Sequence, residues 1–163
     1  MNAEAFRHFY EYHFTENRKL WDQYVMLLSY EQFMQAAGYS HGSVREQLVH
    51  LMSVDETWFC ELQGVEPSEP LFPPTSDDRA SLREHWDQIE QSMRAYLANL
   101  TDEMLFEKPI AEPEEDRDLA VWQVLLHVVN HGTDHRAQVL RLLNDLGIKT
   151  ESQDYNFYVY DRL

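Results

Sequence analysis

Apolar residues recur at steps of three and four along most of the chain, which is the spacing of one face of an α-helix. The pattern predicts four long helices: about 3–28, about 43–62, one that begins after Thr75 or Ser76 and runs to Leu100, and about 119–146. Four long helices with one longer connection predict an all-α four-helix bundle.

Local signals mark where several of these helices begin and end. Ser43 followed by Glu46 is a capping box, which predicts a helix start, and Gly147 stands where a C-terminal cap belongs. A run with four prolines after Gly64 predicts a loop, and a short extended piece is expected at 106–110. The aromatic segment that closes the chain should fold back on the bundle, because so many aromatic rings are costly to leave in water.

Length and composition support one packed domain. The chain has 163 residues, of which 44% are apolar and 13% aromatic, enough for a hydrophobic core and too many for wholesale disorder. We therefore expect a single domain that spans residues 1–163.

The net charge limits the classes of molecule that the protein is expected to bind. The formal net charge is −16 at pH 7, and the charge repels phosphate backbones and anionic lipid surfaces. Nucleic-acid binding and membrane binding are disfavoured. A single cysteine, Cys60, excludes an intramolecular disulfide, and the first residues do not resemble a signal peptide. No stretch approaches the ~20 apolar residues of a membrane span, so a soluble, cytoplasmic protein is expected.

Three histidines on the fourth predicted helix are the first candidates for chemistry. His127, His131 and His135 are four residues apart, so their imidazoles follow one side of the helix. The apolar stripe of this helix passes through His131 and His135, which should point inward, while His127 lies at its margin. Gly132 between them is expected to let a neighbouring helix approach closely.

His50 on the second helix is the candidate third member. Apolar neighbours at helical spacing place it on the inward face, and metal sites in bundles form from inward side chains on facing helices. Three histidines with an open fourth position are typical of a catalytic metal site. The alternative is that these are hydrogen-bonded core or surface histidines, since periodicity cannot show that the two helices meet at this level. We assign surface or packing roles to the remaining histidines: His8, His13, His41 and His85.

Four segments resemble the DinB/YfiT-like superfamily, a group that includes metal-dependent enzymes. They are "FRHFYEYHFTENRKLWDQY", "GSVREQLVHLMSVDETWFCELQG", "HVVNHGTDHRAQVLRLLNDLG" and "DYNFYVYDRL". The resemblance as a whole extends over most of the chain. The third is the most specific. Family members often have Arg-Gly-Gln after its last histidine, and Arg136-Ala137-Gln138 departs mildly from that pattern.

The resemblance implies a fold and a set of ligands. The family fold is an up-down-down-up four-helix bundle that is often a homodimer. His50, His131 and His135 match the metal-binding triad of the family, whose usual ions are zinc and nickel, and His127 matches a histidine that is not normally a ligand. Three imidazoles also suit copper or iron.

Function is less determined than the site. Some relatives transfer a low-molecular-weight thiol, so the first hypothesis is a metal-dependent S-transferase that acts on a small-molecule substrate in stress or detoxification. Physically, a bound cation favours thiolate over thiol, and the thiolate is the nucleophile. The alternatives are a metal-dependent hydrolase and a non-catalytic metal-binding or stress-response protein.

Overall fold

The computed structural model of the protein describes residues 2–68 and 78–163. In these ranges the chain forms α-helices and short 3-10 turns, with no β-strand. The helices are α1 (Ala3–Gln23), α2 (Tyr30–Met34), α3 (Val44–Gln63), α4 (Arg79–Asn99), α5 (Val121–Asp145) and α6 (Tyr155–Tyr160).

The four predicted long helices are present, with differences at their ends. The first predicted helix is divided, because α1 stops at Gln23 and a 3-10 turn follows at Val25–Leu27. Residues 107–110 form no strand; a 3-10 turn at Met104–Phe106 precedes an irregular segment. The predicted start of the third helix and most of the proline-rich loop fall outside the described residues.

The start of α3 is fixed by the predicted capping box. The Ser43 hydroxyl accepts a hydrogen bond from the Glu46 backbone N–H at 3.2 Å, and the Glu46 carboxylate accepts one from the Ser43 N–H at 2.7 Å. Gly42 precedes the cap with a φ of +95°, a left-handed conformation that favours glycine. These contacts hold the α2–α3 connection in a defined path.

The direction of each long helix follows from contacts between them. Tyr10 and Asn17 of α1 bond to Leu125 and Arg136 of α5, so these two helices run parallel. In contrast, Glu11 and Asp22 of α1 bond to Arg94 and Arg83 of α4 in reverse order, so α1 and α4 are antiparallel.

The remaining pair completes the topology. Gln47, near the start of α3, bonds to Gln138, and Trp58 near its end contacts His127, so α3 and α5 are antiparallel. With α1 and α5 pointing up and α3 and α4 pointing down, the order along the chain is up-down-down-up. This confirms the expected bundle.

One hydrophobic cluster joins all four long helices. Burial of a large apolar side chain stabilises the fold by about 1.5–3 kcal/mol, so this cluster is the main source of stability. Its most buried large members include Phe6, Tyr10, Trp21, Phe33, Leu48, Leu51, Phe59, Leu82, Met93 and Leu125. Within the described parts of the chain, no helix has the length and apolar content needed to cross a bilayer.

Gly132 is a point of close contact between α1 and α5. A Cβ atom added there would lie 2.6 Å from the His13 Nδ1 atom and 3.1 Å from an Arg136 guanidinium nitrogen. Only a residue without a side chain lets the buried His13 ring lie against α5. The predicted close approach is confirmed, and the neighbouring helix is α1.

The closing segment folds back on α1, as predicted, but as a short helix. Tyr158 is buried, and the Tyr155 ring packs edge-on against Tyr12 with centroids 5.3 Å apart. The Tyr12 hydroxyl donates a hydrogen bond to the Gln153 carbonyl at 2.7 Å. The segment therefore covers one side of the α1–α5 pair.

Candidate metal centre

The rings of His50, His131 and His135 converge between α3 and α5. Their ring centroids are 5.0 Å apart for His50 and His131, 4.5 Å for His50 and His135, and 4.1 Å for His131 and His135. The antiparallel contact of α3 with α5 places position 50 level with position 131. The three residues are thus neighbours in space, while their role as ligands stays a prediction.

His41 is the fourth member of this cluster, and sequence reasoning did not place it there. Its ring stacks on His50 with centroids 3.7 Å apart and lies 5.4 Å from the His135 ring. One nitrogen from each of His41, His50 and His135 lies within 4.8 Å of the others, a spacing that could hold a metal ion. The cluster therefore contains more imidazoles than the predicted triad.

The position of His41 depends on the α2–α3 connection. His41 is exposed and lies between Ser40, with a φ of 49°, and Gly42. A residue in such a turn has no helical periodicity, so its direction cannot be deduced from spacing. The sequence does indicate that His41 could lie near His50, because it precedes by two residues Ser43, the N-cap of the helix that carries His50.

The nitrogen spacing suits a metal ion. The Nε2 atoms of His50 and His131 are 3.1 Å apart. Two imidazole nitrogens that each lie ~2.0–2.1 Å from a tetrahedral zinc ion are roughly 3.3 Å apart. The two rings would therefore need only a small adjustment to share one ion.

The imidazoles are held in the neutral form that binds metals. Burial lowers the pKa of His50 to about 4, and the neighbouring His41 and His135 add to the effect. Burial likewise lowers the pKa of His131 to about 4, with His135 and His50 contributing. Burial also lowers the pKa of His135, against the opposing effect of Asp134. Near neutral pH these nitrogens can offer lone pairs without losing a proton first.

Gln47 fixes the orientation of the His135 ring. Its amide nitrogen donates to Gln138 at 3.3 Å, which leaves the Gln47 carbonyl oxygen facing His135 Nδ1 at 3.2 Å. Since this oxygen can only accept, the Nδ1 atom must carry the proton and the Nε2 atom keeps its lone pair. Such a partner is typical of a metal-ligating histidine.

His127 lies beside the cluster rather than in it. Its ring is exposed and packs edge-on against Trp58, with centroids 5.2 Å apart. This placement agrees with the prediction that His127 lies at the margin of the apolar stripe of its helix. Of the histidines assigned to surface or packing roles, His13 is fully buried and His8 contacts Tyr155.

We expect the metal-free protein to lose stability as the pH falls from about 6.5 towards 4. Unfolded histidines have a pKa near 6.5, whereas His50 and His131 have values of about 4. Between these values the unfolded chain binds protons that the native state does not, so the free energy of unfolding decreases as the pH is lowered. The measurement is the urea midpoint of chelator-treated protein at pH 7 and pH 5.

The matched control for this effect is His50→Gln. That variant lacks one of the two depressed histidines and should lose less stability between the two pH values. An equal loss in wild type and variant would show that the pH dependence arises elsewhere, for example in the many carboxylates.

Comparison with known proteins places the chain in a family. The sequence model of the DinB family matches residues 1–162. Protein DinB of Bacillus subtilis (strain 168) is 24% identical over 167 aligned positions, which cover 98% of this chain and 96% of the relative. A match of this extent, on a helical bundle with clustered histidines, shows that the chain belongs to the DinB family.

Proposed function

We propose that this protein is a metal-dependent enzyme in which His50, His131 and His135 hold a divalent transition metal, zinc or nickel. The observation that carries the proposal is the convergence of imidazole rings from α3, α5 and the α2–α3 connection in one cluster. A donor set of imidazole nitrogens suits both ions.

Burial and anchoring favour His131 over His41 as the third ligand. The alternative sets share His50 and His135. His131 lies in the middle of a 25-residue helix and is partly buried, whereas His41 is exposed on a connection. A ligand fixed by a helix loses less conformational entropy on binding. His41 is then the neighbour that an incoming molecule can displace.

The reaction that we propose is transfer of a low-molecular-weight thiol to an electrophilic carbon. When bound among uncharged imidazoles, a divalent ion would keep its full charge and favour thiolate over thiol. In the balanced step, the thiol releases its proton to water, its sulfur forms a bond to the electrophilic carbon, and the leaving group departs from that carbon with the electron pair of the broken bond. The three histidines bind and orient the group that supplies this charge.

The partners of the proposed reaction are a small-molecule thiol and a small electrophile. The proposed compartment is the cytoplasm, in which such thiols remain reduced. The family resemblance supports a homodimer, which light scattering of the purified protein would test. The net charge of −16 speaks against nucleic acid as a substrate.

The test is a metal-dependent thiol-transfer assay. Protein loaded with zinc or nickel is mixed with an aryl chloride and, in turn, glutathione, bacillithiol or mycothiol. We expect thiol loss and thioether formation in equal amounts, both abolished in His50→Ala and retained in His127→Ala, which alters a histidine outside the cluster.

The same preparation distinguishes the alternatives. Cleavage of an activated ester without thiol consumption, lost in His50→Ala, would assign hydrolysis instead. Absence of both reactions in fully loaded protein would contradict an enzymatic role of these kinds and favour a non-catalytic metal-binding protein.

A further inference from the structure

A buried carboxylate lies beneath the histidine cluster. Asp55 of α3 has no exposed surface, and its Oδ2 atom lies 3.2 Å from the Nε2 atom of His13, which is also fully buried. Its other oxygen, Oδ1, has no hydrogen-bond partner among the described residues. Buried polar atoms without a partner are uncommon and costly, so each one calls for a physical explanation.

His131 presents a complementary unpaired atom. Its Nδ1 atom is buried and has no hydrogen-bond partner among the residues that the structure describes. Its Nε2 atom faces His50 at 3.1 Å. An imidazole Nδ1 atom that carries a proton is a donor, and a carboxylate oxygen is an acceptor, so the two unpaired atoms have matching chemistry.

Two observations place Asp55 at the level of His131 between α3 and α5. The buried His13 ring contacts Asp55 on one side and Gly132, the residue after His131, on the other. Asp55 also lies between the α3 positions of His50 and Trp58, whose α5 partners are His131 and His127. The charge of Asp55 acts on His131, where it opposes the lowering of the pKa by burial.

Metal binding requires one particular tautomer of both His50 and His131. The facing Nε2 atoms of His50 and His131 are joined by a hydrogen bond when one of them carries a proton. To bind one ion, both Nε2 atoms must offer a lone pair, so each ring must carry its proton on Nδ1. For His131, that proton needs an acceptor in the buried layer below the cluster.

We propose that Asp55 is a positioning residue that accepts a hydrogen bond from the Nδ1–H group of His131 through one buried water, and so directs Nε2 towards the metal. This inference rests on the proposed ligand role of His131. Asp55 would serve His131 as the Gln47 carbonyl serves His135, but with a charged acceptor, which makes a stronger hydrogen bond.

The further contacts of His13 brace this arrangement from below. Its Nδ1 atom lies 3.2 Å from the Arg136 guanidinium, and Asn17 bonds to both His13 and Arg136. Arg136 itself is buried. The carboxylate is thereby held in a network that extends to α1, which limits the orientations that the Asp55 side chain can adopt.

The variant Asp55→Asn tests the proposal, because it keeps the size of the side chain and removes its charge. We expect its zinc affinity, measured by competition with a chromophoric chelator, to fall by about 10–100-fold. We also expect nitrogen-15 NMR of the metal-free protein to show a smaller fraction of His131 with the proton on Nδ1. A purely structural role would not shift this tautomer.

His13→Asn is the matched control, because it loosens the same network but leaves Asp55 in place. It should retain the wild-type tautomer of His131 and lose less zinc affinity than Asp55→Asn. Wild-type affinity and tautomer in Asp55→Asn, or equal effects in both variants, would overturn the proposal. If wild-type protein bound no metal, the ligand assignment would fail, and the tautomer comparison would still decide whether Asp55 holds His131.

Discussion

His131→Ala should abolish stoichiometric metal binding while the protein remains folded. The substitution removes the proposed ligand whose Nε2 atom lies 3.1 Å from that of His50, and the two remaining histidines of the predicted triad should not hold an ion tightly. The fold should persist because the hydrophobic cluster joins all four long helices without help from an ion. Elemental analysis of untagged protein should give about one ion per chain in the wild type and almost none in the variant.

Three further variants make this prediction specific to the triad. His50→Ala should behave like His131→Ala, which would join α3 and α5 at a single ion. His127→Ala should keep the metal, and His41→Ala should keep the stoichiometry. Loss of the ion in His41→Ala, together with retention in His131→Ala, would assign the site to His41, His50 and His135. Circular dichroism of each variant checks that the helices persist.

Chelator-treated wild-type protein tests whether the fold persists without the ion. Its helical signal at 25 °C should match that of the metal-loaded protein. Cooperative unfolding on chelation would show that the ion is structural, and a catalytic reading of the site would then be wrong.

Gly132→Ala should destabilise the protein by about 1–3 kcal/mol, the usual cost of overpacking a core. The added methyl group would press on the His13 ring, whose bonds to Asp55, Asn17 and Arg136 resist displacement. The higher helix propensity of alanine, worth at most ~1 kcal/mol, offsets only part of this cost. Urea denaturation of the metal-free variant and wild type measures the difference.

Gly38→Ala is the control for Gly132→Ala. A Cβ atom at Gly38 would meet nothing within 4 Å, and its φ is not positive, so the stability should change by no more than about 0.5 kcal/mol. If Gly132→Ala were as stable as wild type, the α1–α5 contact would have room that the structure does not show. Gly132→Leu, with a larger side chain, should then also fold, whereas we expect it not to.

The local part of the fold could be predicted because its causes lie within a few residues. Helical periodicity marked the four long helices, and the Ser43–Glu46 pair marked the start of α3. The inward direction of His131 and His135 followed from the apolar stripe of their own helix, and His50 from that of α3. The division after Gln23 was missed because apolar spacing continues through the 3-10 turn at Val25–Leu27.

The inward direction of His13 was not predicted. For His50, His131 and His135, the sequence by itself determined the inward direction, since the apolar stripe of a helix marks the positions that face the core. The tertiary structure alone decided which of them meet. The register of α3 against α5 is set by packing along the whole contact, and it brings His50 level with His131. The tertiary structure also decided that His41, on an exposed turn, stacks on His50. It likewise decided that Asp55 and His13, which are 42 residues apart, are buried together. Such contacts arise from the shape of the assembled bundle, which no local pattern records.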